Sequence, residues 1–374
     1  MTAAKKAQGP VLSTRALNRA TLDRQLLLRR HPMKPAAAVS HLLGLQAQNV
    51  KPPYYALAAR LEEFDPAAFS ALMQDRELVR IVTMRSTIHT HTADDALALR
   101  RLVQPARTRE LNMFRKGLAG VDLDRLTAQA KELVEEQPRT LAQIREHLLR
   151  TWPDADPQAL GIAARCSLPL VQVTPRGLWR QSGQVSLTTL THWLGRDDTA
   201  DADPDDTVLR YLGAFGPASV KDFQTWSGLT RMREVFERLR PGLTTFRDEH
   251  GVELFDLPDA SRPDADTPAP ARLLPEFDNL LLSHADRTRV VPPDLKGRTW
   301  LGNFAYSVFL VDGFLAGTWK LTEEKESATV TFEPFGTLTK AQRAELEAEA
   351  ARLLDGPMGT GVPYDLRYGQ VVGA

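Results

Sequence analysis

Hydrophobic and polar residues follow helical spacing through the first part of the chain. Residues 13 to 30 carry leucines between arginines, behind a Ser-Thr pair that can cap a helix. Residues 35 to 48 predict a second helix, which Pro35 can begin and the pair Pro52-Pro53 can stop. The stretch "PAAFSALMQDREL" predicts a third helix.

The pattern then changes to extended chain. Residues 79 to 92, "VRIVTMRSTIHTHT", predict two strands, and a long basic helix is expected from Ala93 to Lys116. Helices followed by a short hairpin are the outline of a winged helix-turn-helix unit.

This outline recurs twice. In "EEQPRTLAQIREHLLRTW" and "GAFGPASVKDFQTWSGL", a proline precedes Thr140 or Ser219 by two residues, and Ile144 or Phe223 follows four later. The hydroxyl can cap a short helix, and the apolar residue can anchor it. Extended chain follows each copy, at residues 170–187 and 243–257. The sequence therefore predicts three tandem units, at residues 10–120, 121–200 and 201–260.

The last part of the chain has a β-rich pattern. Residues 258–271 are rich in Pro, Asp and Ala and predict a linker. Residues 271–374 alternate apolar and polar positions with glycine breaks and end in a well-marked helix. This pattern predicts a small β-barrel or a curled sheet with a C-terminal helix, and the resemblance described below favours the barrel. The expected fold class is α+β, mainly helical.

Composition adds limits and one asymmetry. No apolar stretch reaches the length of a membrane helix, no secretory signal is recognisable, and the single cysteine, Cys166, is expected to be a small core residue. A cytoplasmic protein is predicted. Net charge is zero, but residues 1 to 120 hold 19 Lys and Arg against 9 Asp and Glu, and residues 121 to 374 hold 28 against 38. Either one surface is built for a polyanion, or the fold has an incidental dipole.

Few residues carry obvious chemistry. Phosphate-binding glycine loops and the G-x-S-x-G elbow are absent. His89 and His91 could share one face of a strand, but a third nearby metal ligand is missing, which favours side chains at a sheet surface or core edge. Arg176 and Arg247 lie at predicted hairpin tips, where they could contact phosphates or the minor groove, or be ordinary solvated turn residues.

The stretch "GLQAQNVKPP" places two amides, Gln46 and Gln48, one residue apart at a predicted helix end. On a regular helix such residues lie about 200° apart and cannot share a face. They converge only if the helix ends between or just after them, as the prolines at 52 and 53 favour. They are either surface residues or uncharged donors and acceptors presented to a cleft.

These stretches resemble the AlkZ-like DNA glycosylases, a family of tandem winged-helix proteins. The similarity lies in "LGLQAQNVKPPYYAL", "VRIVTMRSTIHT", "LLPEFDNLLLSHADRTRVV" and "NFAYSVFLVDGFLAGTWKL", which occur in the family's order across residues 10 to 335. The resemblance implies three winged-helix units and a β-barrel that form a C-shaped basic channel for duplex DNA. It also implies a glycosylase without metal or cofactor that removes N7-alkylated purines, some members also unhooking interstrand crosslinks.

Within this resemblance, Gln46 and Gln48 match the family's catalytic pair, and glutamine at both positions favours the branch that confers crosslink resistance. Asp278, Asp286 and Arg287 are expected to form structural polar pairs. The expected partner is double-stranded DNA with alkylated purines, bound by a monomer. The candidate DNA contacts, each of which could instead be a solvated arginine, are Arg85, Arg101, Arg107, Arg176 and Arg247.

A second hypothesis needs no bond cleavage. Tandem winged helices also occur in DNA-binding proteins, so a transcription regulator or damage sensor remains the alternative. Only the glutamine pair and the barrel segments separate the two, because a plain regulator needs neither.

Overall fold

The computed structural model describes residues 9–197, 202–302 and 304–370. The α-helices α1 to α14 in these ranges are Thr14–Arg24, Pro35–His41, Pro52–Ala58, Pro66–Gln74, Ala93–Leu102, Gln104–Met113, Leu123–Glu136, Leu141–Leu149, Pro157–Ser167, Leu190–Leu194, Pro204–Phe215, Val220–Ser227, Arg233–Leu239 and Lys340–Asp355. None of them is long and apolar enough to cross a membrane.

The strands β1 to β14 have five residues or fewer, apart from two in the last third of the chain. They are Leu45–Gln46, Leu78–Val82, Ile88–Thr92, Leu170–Gln172, Leu187–Thr189, Thr244–Arg247, Glu253–Asp256, Arg272–Leu274, Trp300–Leu301, Phe304–Ala305, Val308–Val311, Phe314–Glu323, Ala328–Pro334 and Tyr364–Tyr368.

Side-chain caps set the starts of the repeated helices. The hydroxyl of Thr140 accepts a hydrogen bond from the backbone N–H of Gln143, and the backbone N–H of Thr140 donates to the side-chain oxygen of Gln143. Ser219 and Asp222 make the same reciprocal pair. Each box satisfies two backbone N–H groups that a helix start leaves free. The caps predicted at Thr140 and Ser219 are confirmed.

Two predicted helices are shorter than expected. The helix predicted over residues 35–48 ends at His41, and the helix predicted from Ala93 to Lys116 is broken at Val103 into α5 and α6. Pro105 has no backbone N–H to donate to the carbonyl four residues earlier, so it can lie in the first turn of α6 but cannot continue α5, which explains the second break.

The first sheet joins two of the predicted units. Its order is β1-β3-β2-β4-β5, and β2 and β3 form the hairpin predicted over residues 79–92. β4 and β5 come from the second predicted unit and extend this sheet, with Arg80 opposite Gln172. The first two helical groups therefore share one backbone hydrogen-bond network.

The third group has its own hairpin and core. β6 and β7 pair from Thr244 opposite Asp256 to Arg247 opposite Glu253, as predicted over residues 243–257. Helices α11 to α13 pack beside them around Tyr211, Phe215, Phe223, Trp226 and Phe236.

The C-terminal β-region is an open sheet, and the prediction of a β-barrel was wrong. Its order is β14-β13-β12-β11-β8, and β8 and β14 do not pair with each other in the described residues. Helix α14 inserts Leu346, Ala350 and Leu353 into the core that contains Trp319 and Phe332. A helix thus covers apolar surface that a closed barrel would bury with strands.

Candidate functional site

Gln46 lies on the edge strand β1, opposite His89 of β3. Its side chain is only 6% exposed. The guanidinium of Arg85 donates a hydrogen bond of 2.8 Å to Oε1 of Gln46. Because only the oxygen of the amide can accept from arginine, this contact fixes the orientation of the Gln46 amide.

The helix before this strand ends ahead of two left-handed residues, Leu43 and Gly44, and the later prolines are not the cause. Gly44 has φ +93°, and a Cβ built on it would lie 2.3 Å from the ring of His91. The N–H of Gly44 donates to the carbonyl of Val39, which closes the last turn of α2. The chain becomes extended at Leu45, so residues two apart can share a face, as they cannot on a helix.

Gln48 lies just beyond β1 and is exposed. Its Oε1 accepts a long hydrogen bond of 3.4 Å from the backbone N–H of Ile88. Between the two glutamines, the N–H of Ala47 donates to the carbonyl of Ile88 at 2.7 Å. The backbone of this Gln-Ala-Gln segment is therefore fixed, while the Gln48 side chain is weakly held and reaches solvent.

A buried arginine supports the same segment from inside. Arg80 is 2% exposed and donates from Nη2 to the carbonyl of Ala47 at 2.8 Å. Its other Nη has no hydrogen-bond partner among the described residues. Burial lowers the pKa of Arg80 to about 10, and the charge of Arg176 adds to this effect. The carbonyl of Ala47 thus faces a fixed positive charge.

Arg85 connects this segment with the third helical group. It has a left-handed backbone, at φ 52°, and its Nη1 donates to the carbonyl of Trp226 at 2.7 Å. The contacts to Gln46 and Trp226 use neutral acceptors. Burial lowers the pKa of Arg85 to about 10, with a further contribution from Arg287. Arg85 is therefore a cation held beside Gln46 without a carboxylate bonded to it in the described part of the chain.

The two histidines of β3 are buried and neutral. His89 Nδ1 bonds the carbonyl of Thr87 at 3.0 Å, and His91 Nε2 bonds the hydroxyl of Thr83 at 2.9 Å. Burial lowers the pKa of His91 to about 4 and that of His89 well below its usual range. They lie in the core behind the glutamine segment, which agrees with the core-edge interpretation.

The block "FDNLLLSHADR" anchors the same segment. Asp278 makes a fully buried, two-bond ion pair with Arg60, which confirms its structural role. Asp286 accepts a hydrogen bond from the backbone N–H of Thr288, so its observed contact is a turn and not an ion pair. The side chain of Arg287 has neither a hydrogen bond nor an ion pair within the described ranges, so the structural pair predicted for it is not found.

Asn279 was missed by the sequence analysis. Its side-chain amide donates to the carbonyl of Gly44 at 2.7 Å and to that of Leu42 at 3.3 Å. It therefore holds the turn that leads into Gln46. The available signal was an amide inside the apolar run "FDNLLL", because a buried amide needs partners.

The other candidate arginines are dispersed. Arg101 is exposed at the end of α5, and Arg176 is half-buried in the turn after β4. Arg247 is half-buried, with Nε donating to the carbonyl of Gly9 at 3.1 Å. Arg107 is fully buried and paired with Glu110, so the DNA contact predicted for it does not fit its position. Cys166 is buried as predicted, and burial raises the pKa of its thiol.

In chemical terms the site is uncharged except for its arginines. Two amides, two neutral imidazoles and the Arg85 guanidinium lie along one edge of the first sheet. Among the residues that the structure describes, no three His, Cys, Asp or Glu side chains are placed to hold a metal ion. Such a set can orient a water molecule or a polar substrate by hydrogen bonds near neutral pH.

Comparisons with known proteins agree with this fold. Residues 39–355 match the family model "DNA glycosylase AlkZ-like". The chain is 24% identical over 361 residues to an interstrand DNA cross-link repair glycosylase of Streptomyces sahachiroi, covering 89% of this chain and 93% of that protein. The solved structure of the Streptomyces sahachiroi DNA glycosylase AlkZ superposes with a TM-score of 0.76 at 20% identity, covering 95% of this chain and 100% of that one.

The match to the family model extends over most of the chain and includes the glutamine segment, the β2–β3 hairpin and four of the five strands of the C-terminal sheet. The protein belongs to the AlkZ-like DNA glycosylase family.

Proposed function

We propose that this protein is a monofunctional DNA glycosylase that hydrolyses the N-glycosidic bond of N7-alkylated purines, including purines tied in an interstrand crosslink. The observation that carries the proposal is the pair Gln46 and Gln48 on one fixed edge segment, with the amide of Gln46 oriented by Arg85. Membership of the AlkZ-like family supports it. The reaction needs neither a metal ion nor lyase chemistry.

Neutral amides suit this substrate. An N7-alkylated purine already carries positive charge and is a good leaving group, so it needs little acid catalysis. Bond breakage leaves a sugar with oxocarbenium character, which a water molecule must reach. A positioned carbonyl can orient that water and favour the developing charge through its dipole.

The different hydrogen bonds of Gln46 and Gln48 indicate different roles for the two side chains. The oxygen of Gln46 is occupied by Arg85, so its amide N–H groups remain to donate to the nucleotide. The oxygen of Gln48 is held only at 3.4 Å and is solvent-exposed, so it is the acceptor that can turn to a water molecule. Gln48 therefore positions the nucleophile, and Gln46 positions the substrate.

DNA would bind to the surface that exposes Gln48. The basic N-terminal third of the chain supplies positive charge, and the three helix–hairpin groups would act as winged-helix units around an open basic channel. An open channel is needed because a base tied to the opposite strand cannot leave the stack freely. A monomer with three such groups would be sufficient.

Base release from two labelled duplexes tests the proposal, one with N7-methylguanine and one with an N7-linked interstrand crosslink. Wild type is compared with Gln46→Ala and Gln48→Ala, and abasic sites are detected by alkaline cleavage. We expect release by wild type and a loss of roughly 10²- to 10³-fold in either variant, with DNA affinity retained. Gln74→Ala, which changes an exposed glutamine elsewhere, is the matched control.

The outcomes separate the hypotheses. Release from the methylated duplex alone would remove crosslinks from the substrate range. Tight binding without release from either duplex would overturn the enzyme proposal and favour the non-catalytic DNA-binding protein.

A further inference from the structure

A cavity of about 550 Å³ lies between helix α12 and the segment that follows Asp278. Its wall includes Thr225, His284, Arg287, Lys296 and Trp300. This volume is within the range of small-molecule sites in proteins. Thr225 precedes Trp226, whose carbonyl accepts from Arg85. The charge of Arg287 acts on Arg85, so the cavity lies near the residue that orients Gln46.

The cavity has a cation without a counter-ion. The side chain of Arg287 is half-buried and has no hydrogen-bond or ion-pair partner in the described part of the chain. Lys296 lines the same wall and is exposed. The single acidic side chain of this wall, Asp286, already accepts a hydrogen bond from Thr288 at 3.0 Å. A partly desolvated guanidinium with no carboxylate favours an anionic ligand such as phosphate.

The cavity also has an aromatic side. Trp300 is half-buried and makes an edge contact with Phe277, with ring centroids 5.6 Å apart. The hydrogen bond of His284 is to a neutral group, because its Nε2 bonds the carbonyl of Phe215 at 2.9 Å. An aromatic ring beside fixed cations is the combination with which proteins bind single-stranded nucleotides, the base on the ring and the phosphate on the cation.

We propose that this cavity is a nucleotide subsite that receives one unpaired nucleotide next to the lesion, with its base on Trp300 and its phosphate on Arg287 and Lys296. A crosslinked base cannot enter such a pocket, but an untied neighbour can leave the stack at a cost of a few kcal/mol. The subsite rests on the proposed function, because it takes DNA as the ligand. Its occupancy can nevertheless be measured without base release.

The test compares two undamaged duplexes of equal length, one fully paired and one with a single unpaired 2-aminopurine. Affinity and 2-aminopurine fluorescence are measured for wild type, Trp300→Leu and Arg287→Met. Arg367→Met, which changes an exposed arginine on β14, is the matched control. We expect wild type and the control to prefer the unpaired duplex, and Trp300→Leu to reduce that preference about 5- to 100-fold. Affinity for the paired duplex should remain unchanged.

Equal affinity of wild type for the two duplexes would overturn the subsite, as would a Trp300→Leu variant that weakens both duplexes alike. A third arm titrates free deoxyguanosine monophosphate. If this free nucleotide binds tightly but the unpaired duplex is not preferred, the ligand of the cavity is a free nucleotide, and the proposal that it is part of DNA is refuted. Base release is measured in parallel: release without the preference refutes the subsite alone, and the preference without release supports the subsite while refuting the glycosylase.

Discussion

Arg85 donates a hydrogen bond of 2.8 Å to the side-chain oxygen of Gln46, so the nitrogen of that amide is the end left for a substrate. The same guanidinium holds the carbonyl of Trp226 at 2.7 Å. Arg85 therefore orients the Gln46 amide in this structure, and the DNA contact expected from its sequence stays a prediction.

Replacing Arg85 should slow base release more than it weakens DNA binding. In Arg85→Met the Gln46 amide loses its fixed orientation, and the single-turnover rate should fall roughly 10- to 100-fold. The double variant with Gln46→Ala should be little slower than Gln46→Ala alone, because both changes remove one interaction. Additive losses would show that Arg85 acts independently of Gln46.

The rate of base release should be nearly constant between pH 7 and 9. Amides do not titrate, and the pKa of His89 is far below this range. The rate should fall above about pH 10, where Arg85 loses its proton and its hold on Gln46. Single-turnover rates across pH 6 to 11 measure this; a bell-shaped profile centred near pH 7 would instead require a titrating acid or base.

Burial of His91 should make stability depend on pH. Its pKa is about 4 in the folded protein against 6.5 for the free side chain. Between pH 6.5 and 4, His91 is protonated in the unfolded chain but stays neutral in the folded protein. The unfolding free energy should therefore fall over this range, by about 3 kcal/mol. His284, with a pKa of about 3, acts in the same direction.

Urea unfolding at several pH values measures this slope. His91→Leu should remove part of it, since the contributions of His89 and His284, whose pKa values are also lowered by burial, remain. A variant with the same slope as wild type would show that His91 is not the titrating group.

Gly44→Ala should destabilise the protein and the site together. The new Cβ would meet the His91 ring at 2.3 Å, in a backbone with φ +93°. We expect a loss of more than the 1–2 kcal/mol or so that left-handed geometry alone costs. Gly120→Ala separates the two causes, because Gly120 has φ +74° but nothing within 4 Å of a Cβ. Thermal unfolding of both variants gives the comparison, and equal losses would remove the steric argument.

Removing one partner of the Arg60–Asp278 ion pair should lower the unfolding free energy more than replacing both partners. Both side chains are fully buried and joined by two hydrogen bonds of 2.8 Å. Asp278→Leu leaves a buried guanidinium unpaired and should lower the unfolding free energy by about 3–5 kcal/mol. The double variant Arg60→Met with Asp278→Leu should recover much of this in denaturant unfolding. A double variant as unstable as the single one would contradict this account.

Local signals predicted much of the fold because they act within a few residues. The caps at Thr140 and Ser219 and the hairpins at 79–92 and 243–257 are of this kind. The choice between a barrel and an open sheet could not be made from the sequence, since strand alternation does not tell whether β8 and β14 pair with each other. Helix α14 packs against this sheet, a contact between residues far apart in the chain.

In the candidate site, too, local features were predicted from the sequence and contacts between distant residues were not. The spacing of Gln46 and Gln48 was visible, but their place on extended chain depends on Gly44 meeting His91 from the β2–β3 hairpin. Arg85 and Arg107 look alike in sequence, as basic residues of one region. Contacts with residues far away in the chain place the two arginines in different environments. Arg85 bonds the carbonyl of Trp226, and Arg107 bonds the carbonyl of Arg165.

The sheet shared by the first two helical groups has a mechanical consequence. Backbone hydrogen bonds run without interruption from β5 through β4, β2 and β3 to the strand that ends at Gln46. Covalent linkers between domains allow hinge motion, whereas a continuous ladder resists it. We therefore expect that a displacement of the second helical group on DNA binding would be transmitted through this sheet to the segment of Gln46 and Gln48, because no flexible linker separates them.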